Sequence, residues 1–118
     1  MAKNRLIKIY KHHYTNKEVM ERTEIVLDKN QRGELQLFSD ERKAGLMSIA
    51  IIDGNLVVYH TEVDEAYEGR GFAKILLEKL VAHARENNMK IVPLCPYVNA
   101  QFHRHPELYQ DVWFKKTV

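Results

Sequence analysis

Glu68-Gly69-Arg70-Gly71-Phe72-Ala73 is the stretch on which the reading of this chain turns, because it joins a strand-forming run, Leu56–Val63, to an amphipathic one, Phe72–Asn87. In the second run Ala73, Leu76, Leu77, Leu80 and Ala84 recur at helical spacing, opposite Lys74, Glu78, Arg85 and Glu86. Asn87-Asn88 suits the helix end, since Asn tolerates a left-handed backbone, and Lys90–Leu94 resumes as a short strand. A strand-helix-strand unit joins parallel strands by a right-handed crossover, so the exits from Val63 and Leu94 are expected at the same carboxyl edge of a sheet. The hexapeptide lies at that edge. Helix-opening amides lack internal partners, two glycines remove any Cβ from their path, and Arg70 and Lys74 add positive charge. The loop therefore reads as an anion site suited to a pyrophosphate. A glycine-bearing loop that merely turns the chain is the plainer alternative.

Two phosphate-binding patterns are set aside. A dinucleotide fingerprint expects G-x-G-x-x-G, whereas Gly71 is the last glycine of the chain. No G-x-x-x-x-G-K-[ST] occurs anywhere.

Upstream, Leu35 and Leu37 alternate with Glu34 and Gln36, a charged turn follows at Asp40–Lys43, and an apolar run extends from Leu46 to Ile52. Asp53-Gly54 then predicts a two-residue hairpin with positive φ. Stepping outward from Ile52 opposite Asn55, that turn places Met47, Ile49, Ile51, Leu56, Val58 and His60 on one face. His60 is thereby expected on the apolar side. Residues 1–30 carry weaker patterns and are read as an N-terminal extension to a domain over 31–118. Within the extension, Leu6–Tyr10 suggests a short strand, and Thr15-Asn16-Lys17-Glu18 has the spacing of a capping box opening a helix toward Thr23. Beyond the crossover unit, Val98–Arg104 suggests a short helix ended by Pro106, and Tyr109, Val112, Trp113 and Phe114 a closing apolar segment.

With 118 residues, 45% of them hydrophobic and 29% charged, the chain has room for one core and no sign of disorder. The formal charge of +2 is too small to suggest nucleic acid or an anionic membrane as partner. A single cysteine, Cys95, precludes an intramolecular disulfide or a cysteine-rich zinc cluster. Lysines interrupt the apolar residues of the N-terminus before a signal core forms, so a cytoplasmic location is expected.

Cys95 sits in Pro93-Leu94-Cys95-Pro96, where two missing backbone donors predict a strand that opens beside a cleft. By the crossover rule its thiol belongs to the same edge as the glycine loop; a buried inert cysteine is the alternative. His60 near the end of its strand is a candidate general base if it meets that cleft, and otherwise a satisfied core histidine. His12-His13 and His103-Arg104-His105 lie at spacings that do not share a helix face, and no carboxylate or thiolate completes a set, so no metal is assigned.

Four motifs in order, His60-Thr61-Glu62-Val63, Glu68-Gly69-Arg70-Gly71-Phe72-Ala73-Lys74, Val92-Pro93-Leu94-Cys95-Pro96-Tyr97 and His105-Pro106-Glu107-Leu108-Tyr109, together resemble the minimal one-domain branch of the GNAT N-acetyltransferase superfamily. The resemblance runs from about Gly33 to Val112. It implies a mixed α/β fold: antiparallel hairpin strands, then a β-α-β unit whose parallel strands splay into a slot for acetyl-CoA. Backbone groups at Glu62 and Val63 would bind the pantetheine arm, and the amides of Gly69, Arg70, Gly71, Phe72, Ala73 and Lys74 would cradle the pyrophosphate. Cys95 matches the cysteine this branch places near the coenzyme's sulfur. Glu68 departs from the pattern, for the superfamily loop usually opens with Gln or Arg, and a carboxylate beside phosphates weakens binding unless it turns away.

The expected activity is acetyl transfer from acetyl-CoA to an amine acceptor, small molecule or protein, with Cys95 and His60 as catalytic candidates and a monomer or weak dimer as the working state. A coenzyme A binding or sensing module without turnover is the alternative, and an interaction domain that has lost the coenzyme is a third reading motivated by Glu68.

Overall fold

The computed structural model describes residues 8–15 and 20–115, with side chains from 21 onward. A six-stranded sheet runs in chain order, β1 (Lys8–Thr15), β2 (Met20–Leu27), β3 (Arg32–Ser39), β4 (Arg42–Ile52), β5 (Asn55–Val63) and β6 (Ile91–Pro93). Every neighbouring pair is antiparallel except β5 and β6. A 3-10 turn (Glu65–Tyr67) and helix α1 (Phe72–Glu86) connect those two strands; α2 (Pro96–Arg104) and α3 (Pro106–Tyr109) follow. The mixed fold is the expected one.

Turn chemistry sets the hairpins. Asp53 and Gly54 both take positive φ, 53° and 78°, the backbone twist that a two-residue connection requires. The charged turn expected over Asp40–Lys43 is equally tight: Asp40 and Glu41 hold φ of 49° and 71°, and β4 resumes at Arg42. One face of the sheet buries Ile25, Leu27, Leu35, Leu37, Met47, Ile49, Leu56 and Val58, and α1 lays Leu76, Leu77, Leu80 and Ala84 against β3, β4 and β5. Fully burying one such leucine contributes on the order of 1.5–3 kcal/mol, so this helix face carries much of the fold.

The helix expected to run from the capping box toward Thr23 is not formed where the structure describes it. Met20–Leu27 is β2 instead, and Thr23, Ile25 and Leu27 alternate into the core with solvent-side Arg22, Glu24 and Val26. That period-two pattern over β-branched residues outweighs a four-residue capping signal once β3 is available to pair. Asn16–Val19 and Leu6–Ile7 lie outside the described residues, and the strand expected at Leu6–Tyr10 is described from Lys8, reaching Thr15. Because Ile25 and Leu27 are buried with α1's leucines, β2 shares the core of the strands that follow it.

Downstream, α1 ends at Asn87, with Asn88 left-handed at φ 55°, as the Asn pair suggested. The strand expected over Lys90–Leu94 is confined to Ile91–Pro93, and α2 starts at Pro96, two residues before the expected helix. Pro106 opens α3 besides ending α2. The closing segment pairs with β6: Ile91 donates to Val112 O and accepts from Phe114 N, while Trp113 packs edge-on against Phe102.

Candidate functional site

The parallel pair β5–β6 is short. Its register covers Leu56, Val57 and Val58 against Ile91, Val92 and Pro93, and the Cys95 amide then donates to Val58 O at 2.9 Å. Beyond that bond β5 runs five residues further with only β4 beside it. Pro93 and Pro96, which lack the donor a continuing ladder needs, bracket the point where the second strand turns away into α2. A slot is left between the two strands.

Register determines which peptides face it. Asp64 donates to Ala44 O, so alternation assigns Glu62 and His60 to the β4 ladder and turns the peptide groups of Val63 and Thr61 toward the open edge. Of the two residues expected to offer backbone groups there, Val63 faces the slot while Glu62 is engaged with Leu46, and Thr61 stands in its place.

His60 is not on the apolar face. The register shifts between Ser48 and Ile49, so that Ile49 opposes Val58 but Ser48 opposes His60, leaving Tyr59 as the extra residue of a β-bulge. One inserted residue inverts every side chain after it. His60 and Glu62 therefore point to the face opposite α1, exposed and joined by a contact of 3.1 Å between His60 Nε2 and Glu62 Oε2. Thr61 takes the inner side. Its Oγ1 lies 3.1 Å from Sγ of Cys95, which is only 1% exposed.

The glycine loop opens at the same carboxyl edge, one 3-10 turn beyond Val63. Asp64 caps that turn by accepting from Ala66 N, and the Glu68 amide is used within it, donating to Glu65 O. From Gly69 to Lys74 no amide donates to another group of the described residues, and Gly71, the N-cap of α1, makes no side-chain cap bond. Gly69 and Gly71 sit at φ 81° and 78°, where an L side chain is strained, and a Cβ at either would meet nothing within 4 Å. This is an open cradle of N–H groups at a helix N-terminus, and it fits a diphosphate. Arg70 stands over the stacked rings of Tyr67 and Phe72, 5.3 Å from each centroid.

Two groups went unassigned in the sequence. Thr61 is one. Tyr97, on the first turn of α2, is the other: burial pushes its phenol above the ordinary tyrosine range, with Tyr109, Glu78 and Cys95 adding to the shift, so it stays a proton donor at neutral pH. Its position one residue past the Cys95-Pro96 pair was the available signal. On the outer face, Lys43, Ala44, Gly45, Leu46, Glu62 and Asp64 line a cavity of about 200 Å³. Among the described residues no three His, Cys, Asp or Glu side chains are placed to hold a metal ion, and no helix is long and apolar enough to cross a membrane.

Splayed parallel strands, an uncapped amide cradle beside them and a thiol at the point of divergence meet at one edge of this mixed α/β domain. The chain belongs to the GCN5-related N-acetyl-transferase family, whose sequence model matches residues 32–112. That span takes in β3 to α3, the slot, the cradle and Cys95. A search of the curated proteins finds no match to the chain.

Proposed function

We propose that this protein binds acetyl-CoA in the β5–β6 slot and transfers the acetyl group to an amine. The observation that carries the reading is the run of undonated amides from Gly69 to Lys74, set at the same sheet edge as the unpaired peptides of Thr61 and Val63 and the sulfur of Cys95. Acetyl-CoA supplies the activated acyl group, and the residues of this chain do the rest.

The cradle amides and the dipole of α1 hold the diphosphate, with Arg70 and Lys74 adjoining. Val63 and Thr61 offer strand-like hydrogen bonds to the extended arm. Cys95 Sγ attacks the thioester carbon; a carbon–sulfur bond to Cys95 forms as the one to the coenzyme breaks. The proton of Cys95 passes to the leaving thiolate by way of Tyr97, whose phenol gives its own proton to the coenzyme sulfur and takes up the one Cys95 loses, so that it ends protonated as it began. The amine then displaces Cys95 from the acetyl carbon, and the departing sulfur takes a proton from the Tyr97 phenol, which is replenished from solvent as the nitrogen's proton leaves through His60. His60, oriented by Glu62 on the outer face, takes the proton of the attacking nitrogen. The neighbouring cavity, with carboxylates Glu62 and Asp64 on its wall and Lys43 tied to Glu34 at 2.9 Å, suits the approach of a cationic amine from that side.

Labelled acetyl-CoA tests the scheme. Label is expected on Cys95 in the absence of amine and on the amine in its presence, with both lost in Cys95→Ser. Coenzyme A binding by calorimetry without turnover over a panel of amines would support a binding module instead. If neither coenzyme A nor acetyl-CoA raises the melting temperature, the coenzyme assignment itself fails.

A further inference from the structure

We infer that Thr61 is a positioning residue whose hydroxyl orients the sulfur of Cys95 and donates to it as it acts as a nucleophile; the inference rests on the acyl-transfer reading above only for its functional consequence. Cys95 is a buried residue, 1% exposed, so water offers its thiol little. It stands at the N-cap of α2, a nine-residue helix, yet makes no cap bond, and Pro96 at the first helical position has no N–H to give. The side-chain partner it does have is the Thr61 hydroxyl at 3.1 Å. While the thiol is protonated either group can donate. Once the sulfur is an anion, only the hydroxyl can, and a buried anion with no donor is strongly disfavoured.

The placement depends on the bulge at Tyr59. Without the extra residue, Thr61 would share the outer face with solvent and His60 would stand where Thr61 now meets the sulfur. Threonine also suits the role locally: its β-branch restricts χ1, so the hydroxyl is held rather than searched for. The ionisable group that interacts electrostatically with Cys95 is Tyr97 on α2, itself influenced by Tyr109 on α3 and Glu78 on α1, and the hydrogen bond to the sulfur comes from Thr61.

Iodoacetamide alkylation reads the inference directly, because Cys95 is the only cysteine in the chain. With the full-length protein free of coenzyme, Thr61→Val keeps the side-chain shape and removes the hydroxyl, and alkylation is expected to slow about tenfold or more, the effect of one charge-assisted hydrogen bond. Thr61→Ser restores the hydroxyl and is expected to recover most of the rate, which a packing role alone would not produce. Thr61→Ala serves if the valine variant does not fold. Alkylation at the wild-type rate in a folded Val or Ala variant overturns the inference, as does a serine variant as slow as valine. Transfer of labelled acetyl from acetyl-CoA separates the two claims. If the wild type takes no label but Val alkylates slowly and Ser recovers, the role of Thr61 stands and the transfer reading falls; if label appears and Val alkylates normally, the reverse holds.

Discussion

The amide of Cys95 donates to the carbonyl of Val58 across 2.9 Å, and that bond is where β5 and β6 part. On one side of it the strands form an ordinary parallel ladder. On the other, β5 carries Thr61 and Val63 along an edge without a strand partner, and the second strand becomes α2. The slot, the bulge that sorts His60 from Thr61 and the approach to the amide cradle all lie within a few residues of this bond. Four measurements bear on that arrangement and on what supports it.

Gly71→Ala and Gly69→Ala separate the cradle from the fold. Each places a Cβ on a left-handed backbone, at a cost of roughly 1–2 kcal/mol, while the Cβ itself meets no protein atom within 4 Å. A modest fall in melting temperature is therefore expected, together with a larger loss of coenzyme A affinity by calorimetry as the methyl enters the space a phosphate needs. Unchanged affinity in both variants would remove the cradle from the site.

His60 and Leu80 test the inverted register. The His60 side chain is 58% exposed, so His60→Ala should change stability by no more than about 0.5 kcal/mol in chemical denaturation. Leu80→Ala, in the fully buried face of α1, should cost on the order of 2–5 kcal/mol. A core-sized loss for His60→Ala would contradict the bulge. In the presence of amine acceptor the same histidine variant should turn over more slowly with its coenzyme affinity unaltered.

Asp111 pins the C-terminal segment to α1. Its carboxylate accepts from Arg85 Nε and Nη2 at 2.8 and 3.0 Å, and those bonds hold its pKa below the ordinary aspartate value. A depressed carboxylate pKa contributes stability that is present above the unfolded pKa and lost as pH falls through the folded one. Both partners are about half exposed, so solvent screening limits the contribution to about 1 kcal/mol at most. Asp111→Asn should thus be slightly less stable than wild type near pH 7, with the difference closing in the acid range below ordinary aspartate titration.

Glu21 behaves in the opposite sense. Burial on β2 raises its carboxyl pKa; Arg70 opposes the shift and Asp40 reinforces it. A raised acid pKa means the folded chain binds the proton more readily, so its stability contribution improves as pH falls through the window above the ordinary glutamate value. Glu21→Gln, which cannot ionise, should match or exceed the wild type at neutral pH and lose that advantage as pH drops. Parallel melting curves for the two proteins across pH 4–8, about the range of carboxylate titration, would show no pH-dependent difference if the carboxyl is not buried.

Much of the fold was legible in local chemistry. Asp53-Gly54 dictated its hairpin because few residues accept two consecutive positive φ values, and the leucines of α1 dictated a buried face because their spacing matches one helical turn. The glycine loop announced an uncapped helix N-terminus in the same way. The helix expected toward Thr23 failed because a capping box is a four-residue signal, whereas β2 is stabilised from Glu21 to Leu27 by pairing with β3, the strand that follows it.

What the sequence determined alone was the elements from β3 to α2, their order and the edge at which Val63, the cradle and Cys95 emerge, since these follow from turn residues, periodicity and crossover handedness. Only the tertiary structure decided which side chains meet. The bulge at Tyr59 carries no glycine or other local mark; it arises from the fit of β5 against β4, and a shift of one residue there exchanges His60 for Thr61 beside the sulfur.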